Sequence, residues 1–166
     1  MRNLLVLTAV LMLVFVAAES TFAQASAVQN VTLAVNPIYR ISVSGDPGPL
    51  TITSGSAGND DLTPVTDNST TYSITQNVGN TLKITGEIDV ALATGYTLEI
   101  NLASNKGSSA GNVDISTAVS GSAVDLVTAI GRGADQNQTI LYTFSADASA
   151  GDLPATTKIV TLTLTN

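Results

Sequence analysis

The chain predicts an all-β fold, an antiparallel β-sandwich, behind an N-terminal leader. Three observations carry that prediction. Beyond residue 25, apolar residues recur at every second position in short runs. Clusters of Gly, Asn, Asp, Ser and Pro separate those runs. The positions between the apolar ones are mostly Thr and Ser, so each strand buries one face and wets the other. That pattern belongs to antiparallel sheets, because parallel strands are buried on both faces.

The leader comes first. Arg2 makes a positive start, residues 4–18 are almost wholly apolar, and Ala23, Gln24 and Ala25 form a small-x-small triplet. These are the n-region, h-region and cleavage site of a secretory signal peptide, residues 1–25. The apolar run is shorter than the ~20 residues a spanning helix needs. No stop-transfer charge follows, since the next charged residue after Glu19 is Arg40. Cleavage after Ala25 leaves residues 26–166 as one domain; cleavage after Ala23 is the alternative. A lipid anchor at the junction needs a Cys, and the chain has none. The expected location is therefore outside the cytoplasm: secreted, extracellular or at the cell surface, with the periplasm as another compartment. The mature form is expected to carry no integral membrane span.

Composition narrows the chemistry. The net charge is −7 and only 11% of residues are charged, so the surface is acidic and repels nucleic acid, which is not expected as a partner. An exported chain without Cys makes no use of disulfides. With no His either, the usual ligands for zinc, copper and haem are missing, and so are the Ser-His and Cys-His nucleophile pairs. The chain reads as a non-enzyme with no cofactor and no metal.

Along the mature chain, Val31, Leu33 and Val35 alternate with Thr32 and Ala34, and after Pro37 the same odd register runs through Tyr39, Ile41 and Val43. These six apolar residues mark a candidate assembly strand, long against the usual ~5–6 residues. Two readings of residues 26–44 stand side by side. Either the segment bends at Pro37, which lacks a ladder N–H, and pairs with both sheets of its own domain. Or part of it leaves the domain as a donor strand and completes a neighbour's sheet.

Residues 45–49 are a turn by chemistry, rich in Gly and Pro. Leu50 and Ile52 alternate next, and residues 54–68 read as a polar loop. Tyr72 and Ile74 begin another strand, and residues 77–80 turn around Gly79. Leu82, Ile84, Ile88, Val90 and Leu92 follow, then the cleanest alternation, Tyr96, Leu98, Ile100 and Leu102. A Gly/Ser loop at 104–112 precedes a short strand at Val113 and Ile115. Ile140, Tyr142 and Phe144, then a turn at 148–155, then Val160, Leu162 and Leu164 complete the chain. The expected core includes Leu98, Ile100, Leu102, Ile140, Tyr142, Phe144, Val160, Leu162 and Leu164. Residues 122–130 read two ways. Val124, Val127 and Ile130 share a helical face with Ser122 as N-cap, while β-branched content and the all-β setting favour a strand.

Several residues have the chemistry of a site. Asp46, Asn59, Asp60, Asp61, Asp67 and Asn68 offer oxygen ligands suited to Ca²⁺, but Asp and Asn populate turns for backbone reasons, and no segment matches an EF-hand loop. Glu87, Asp89 and Glu99 could supply a glycosidase pair, yet they alternate with apolar residues and read as a solvated face. Sugar stacking needs exposed aromatic rings. The chain has no Trp, and Tyr39, Tyr72, Tyr96 and Tyr142 all fall in the apolar registers. Asn30, Asn68 and Asn137 head N-x-Ser/Thr sequons that matter only where glycosylation machinery exists.

In pattern, the leader at 1–25, the alternating segment at 29–44 and the terminal strand at 157–165 together resemble a class of bacterial exported surface proteins with a Thr-rich, Ig-like sandwich. Donor-strand fibre subunits and biofilm-matrix filament subunits are of this type. The resemblance implies a structural protein that self-assembles into filaments or associates with other surface proteins. The alternative function is an extracellular module that binds a glycan or Ca²⁺.

Overall fold

The computed structural model describes residues 25–79 and 81–166. The leader lies outside the described residues except for Ala25. The chain divides into two units between Val35 and Asn36.

Of the first unit, residues 25–35 are described. They form no helix or strand and are exposed throughout. The strand expected at Val31, Leu33 and Val35 is therefore not formed. Alternation persists as a strand only where a partner strand takes up the N–H and C=O groups, and no ladder in the structure includes these residues.

The second unit is all-β, and among its described residues there is no α-helix. Its strands are β1 (Tyr39–Val43), β2 (Val65–Gln76), β3 (Leu82–Ile88), β4 (Tyr96–Leu102), β5 (Ser108–Ser109), β6 (Val113–Asp114), β7 (Val124–Ile130), β8 (Gly133–Ala146) and β9 (Val160–Thr165). One 3₁₀ turn spans Ala148–Ala150. A five-stranded sheet runs β1-β2-β8-β4-β6 and a four-stranded sheet runs β5-β7-β3-β9. Every strand pair is antiparallel.

The two sheets share one core, in a sandwich-like arrangement. Tyr72, Ile74, Ile100, Leu102 and Ile140 face it from the first sheet, and Ile84, Ile88, Leu126, Val127 and Ile130 from the second. Burial of each such side chain contributes about 1.5–3 kcal/mol. Leu98, Tyr142 and Leu164 are buried as expected. Phe144, Val160 and Leu162 are only half-buried. Phe144 lies near the end of β8 with its ring stacked on Tyr96 at 6.5 Å. Val160 and Leu162 lie on an edge strand, with no strand beyond them to complete their cover.

Bulges explain the other departures from simple alternation. Between Ile84 and Leu82, β3 advances two residues while β7 advances three, from Val127 to Ile130; a second slip separates Val127 from Asp125. Ala129 takes up the first bulge with φ of 55°, in the left-handed region rare for a non-Gly residue. Leu126 and Val127 are consequently both buried, and Val124, Val127 and Ile130 are spaced three apart. The helix-like spacing of this segment is thus what two bulges do to a strand.

The remaining differences are local. Leu50, Ile52, Val90 and Leu92 lie outside the strands. β2 begins at Val65, inside the expected polar loop, and β5 is a two-residue strand inside the expected Gly/Ser loop.

Candidate assembly surface

The six candidate residues divide at Pro37. Tyr39, Ile41 and Val43 lie in β1 and pair with Gln76, Ile74 and Tyr72 of β2. Directly opposed residues point to the same face of a sheet. Those three β2 residues are buried, so Tyr39, Ile41 and Val43 face the core side too. Nevertheless Tyr39 is 56% and Val43 55% exposed.

β9 shows the same condition in the facing sheet. Val160 and Leu162 oppose Ile88 and Gly86 of β3, both buried, and so also point to the core side. Both remain half-buried. β1 and β9 are edge strands of the two sheets and pack together. This flank of the sandwich therefore presents core-facing apolar side chains that the domain itself does not cover.

Asn77 fixes where β1 begins. Its Oδ1 accepts from Ile38 N–H at 2.6 Å, its Nδ2 donates to Asn36 C=O at 2.9 Å, and its own N–H donates to Ile38 C=O at 2.9 Å. A side-chain amide thus substitutes for the ladder on both sides of Pro37, which cannot donate. Upstream of this clamp, in the first unit, Val28, Val31, Leu33 and Val35 are 88%, 74%, 86% and 83% exposed.

Asp67, Asp60 and Asp89 are engaged in local structure. Asp67 Oδ1 accepts from Ser69 Oγ at 2.7 Å and Ser69 N–H at 3.1 Å, inside a bulge of β2, and these bonds, the hydroxyl first, hold its carboxyl below the ordinary range. Asp60 accepts from Ser149 through both oxygens at 2.9 Å, and Asp89 accepts from Ile159 N–H at 3.0 Å. Among the described residues no group of three or more acidic side chains is arranged to hold a metal ion. Glu87 and Glu99 lie on different sheets, half-exposed at positions that alternate with the buried residues of β3 and β4. Of the tyrosines, Tyr72, Tyr96 and Tyr142 are buried in the core register. Tyr72 and Tyr96 each donate a phenol hydrogen bond to a backbone carbonyl, Ala103 at 2.6 Å and Ala150 at 3.1 Å.

Asp135 is a structural centre that alternation does not reveal. β8 spends three residues, Asp135 to Gln138, against two of β2, Ile74 to Tyr72. Asn137 forms this bulge with φ of 52°. The slip reverses the facing of the residues before it, and Asp135 turns inward at 4% exposure. Its Oδ2 accepts from Asn105 N–H at 2.8 Å, Ser104 Oγ at 3.1 Å and Lys106 N–H at 3.2 Å, gathering the loop after β4. The same bulge borders an open depression of about 470 Å³ in which Arg40, Ser42, Ser73, Thr75, Gln136 and Asn137 line the wall together with Ile41 and Ile74.

No helix among the described residues is long and apolar enough to cross a membrane. No family model matches the chain, and no curated protein matches it significantly in sequence.

Proposed function

We propose that the protein is an exported, non-enzymatic structural subunit with an Ig-like domain, and that it self-assembles at the cell surface through the segment ahead of Pro37. One observation carries the reading: Val31, Leu33 and Val35 repeat with strand period and are 74–86% exposed. Burying each would contribute about 1.5–3 kcal/mol. Ordering each backbone residue costs about 1–2 kcal/mol, so side-chain burial alone roughly cancels. Net association needs the backbone hydrogen bonds of a sheet edge as well, which is the chemistry of strand addition. The apolar leader at 1–25 supports export, and the thinly charged surface suits a subunit packed among copies of itself.

Deleting residues 26–35 tests this. The deletion spares Asn36 and hence the Asn77 clamp. The expected product is a folded monomer by circular dichroism that no longer forms the oligomers or filaments of the intact chain in sedimentation and electron microscopy. Unchanged assembly after the deletion would remove the basis of the reading.

A glycan-binding role is the second reading, favoured by the depression around Arg40, whose hydroxyls and amides suit sugar hydroxyls. Glycan-array binding lost in Arg40→Ala with the fold intact would select it.

A further inference from the structure

Among the described residues the two sheets end in four strand edges, and they are not equally protected. β5 and β6 are two residues long. β1 has five residues, carries Arg40 mid-strand and is preceded by Pro37. Short length, charge and nearby Pro are the devices that blunt an edge against pairing with another chain. β9 has none of them within the strand, its nearest charge being Lys158, two residues ahead. It runs six residues, Val-Thr-Leu-Thr-Leu-Thr, without charge or Pro. Its register with β3 is continuous from Lys83↔Thr165 to Ile88↔Val160, without a bulge. A bulge-free, uncharged, β-prone edge of this kind is a template for a further strand.

We infer that the free edge of β9 is the acceptor in assembly, and that its occupant is the segment Val31 to Val35 of a second copy. This rests on the self-assembly reading above and adds the identity of the receiving strand. The match is in length, period and chemistry. The segment Val-Thr-Leu-Ala-Val, like β9, has no charge, Pro or Gly, and both begin with Val-Thr-Leu. Placing Val31, Leu33 and Val35 beside the core-facing series Val160, Leu162 and Leu164 sets Leu33 opposite Leu162 whether the strands run parallel or antiparallel. That placement covers Val160 and Leu162, the two residues of β9 left half-buried on the core side. It also brings the incoming side chains toward Ile41 and Val43 across the flank.

Engineered cysteines test the geometry, because the chain has none of its own. Thr32→Cys is placed in one full-length chain, and Thr161→Cys, Thr163→Cys or Ser42→Cys in differently tagged partners. All four positions are exposed, so the fold should tolerate them. Mixed chains are oxidised and separated without reductant. The expected result is a disulfide-linked heterodimer between Thr32→Cys and Thr163→Cys for antiparallel addition, or Thr161→Cys for parallel addition. Ser42→Cys on β1 should give none. Leu162→Lys should weaken assembly on the order of 100-fold by mass while leaving a folded monomer, since a desolvated charge at the central contact costs at least the ~2.7 kcal/mol that ratio represents. Cross-linking at Ser42→Cys, or oligomers without cross-links at either β9 position, would overturn β9 as acceptor while leaving self-assembly standing. Monomers at all concentrations would overturn both.

Discussion

Replacing Asp135 with Ala should be among the costliest single changes outside the apolar core. The side chain is 4% exposed and its Oδ2 accepts from Asn105 N–H, Lys106 N–H and Ser104 Oγ at 2.8–3.2 Å. One oxygen serves all three donors, so the bonds are not additive. Losing the acceptor leaves the Asn105 amide to find water or stay unpaired, at about 1–3 kcal/mol, while Lys106 N–H keeps Ser104 Oγ at 3.2 Å. A loss of about 1–3 kcal/mol follows, because Asn105 and Lys106 are exposed and the loop can recover part of the bonding from water. Asp135→Asn keeps the shape and one carbonyl acceptor and should lose less than the Ala variant, about 1 kcal/mol or under. Urea unfolding followed by circular dichroism measures both. With m of about 2 kcal/mol/M for a domain of this size, the Ala variant should shift the midpoint down by roughly 0.5–1.5 M. Hydrogen exchange should show the Asn105 amide losing protection in the Ala variant. A loss within about 0.5 kcal/mol with that amide still protected would refute the assignment of Asp135 as the loop's anchor.

Two further predictions concern register and pH. Leu98→Ala empties a buried site and should cost about 2–5 kcal/mol, whereas Thr161→Ala, on the exposed face of β9, should stay within about 0.5 kcal/mol; equal losses in urea would show the facing of the strands to be wrong. Burial, with the charge of Asp135 added at Tyr72 and of Asp46 at Tyr142, pushes both phenols above their ordinary value near 10. The folded state thus holds these protons more tightly than the unfolded chain, so their contribution is complete below pH 10 and is lost as pH rises through the folded values. Urea midpoints measured from pH 9 to 12 should fall above pH 10 together with phenolate absorbance, and Tyr142→Phe should flatten the fall; a midpoint independent of pH over that range would contradict it.

Much of the fold was legible because period-two alternation has a single cause, one face in and one face out. Tyr96 to Leu102 alternates without interruption, pairs without a slip and is buried at every second residue. Where the structure inserts a residue, the pattern misleads. The bulges of β7 imitate a helix, and the bulge at Asn137 hides the inward turn of Asp135 within a polar stretch. The start of β2 was invisible for another reason: Thr66 to Ser69 carries no apolar residue, and its pairing with β8 is made by backbone. Val31 to Val35 is the converse, a strand pattern with no ladder. Its register was readable, but whether a partner strand exists is not a property of the segment. Gln76 was readable in principle, since it continues the inward series of Tyr72 and Ile74, and its Nε2 donates to Ile130 C=O at 3.2 Å.

The Asn77 clamp has a mechanical consequence. Tension applied to the chain ahead of Asn36 does not reach the rungs of β1 one at a time. It arrives first at three hydrogen bonds converging on a single residue, set around a Pro that cannot take up load through a ladder bond of its own. These bonds share the force, so the first yield point of the domain should exceed that of a freely peeling five-residue edge strand. Asn77→Ala would leave the core intact yet let β1 unzip from Tyr39 at lower force. The grip of the domain on the start of β1 is thus concentrated in one residue of the turn that follows β2, with two of the three bonds made by its side-chain amide.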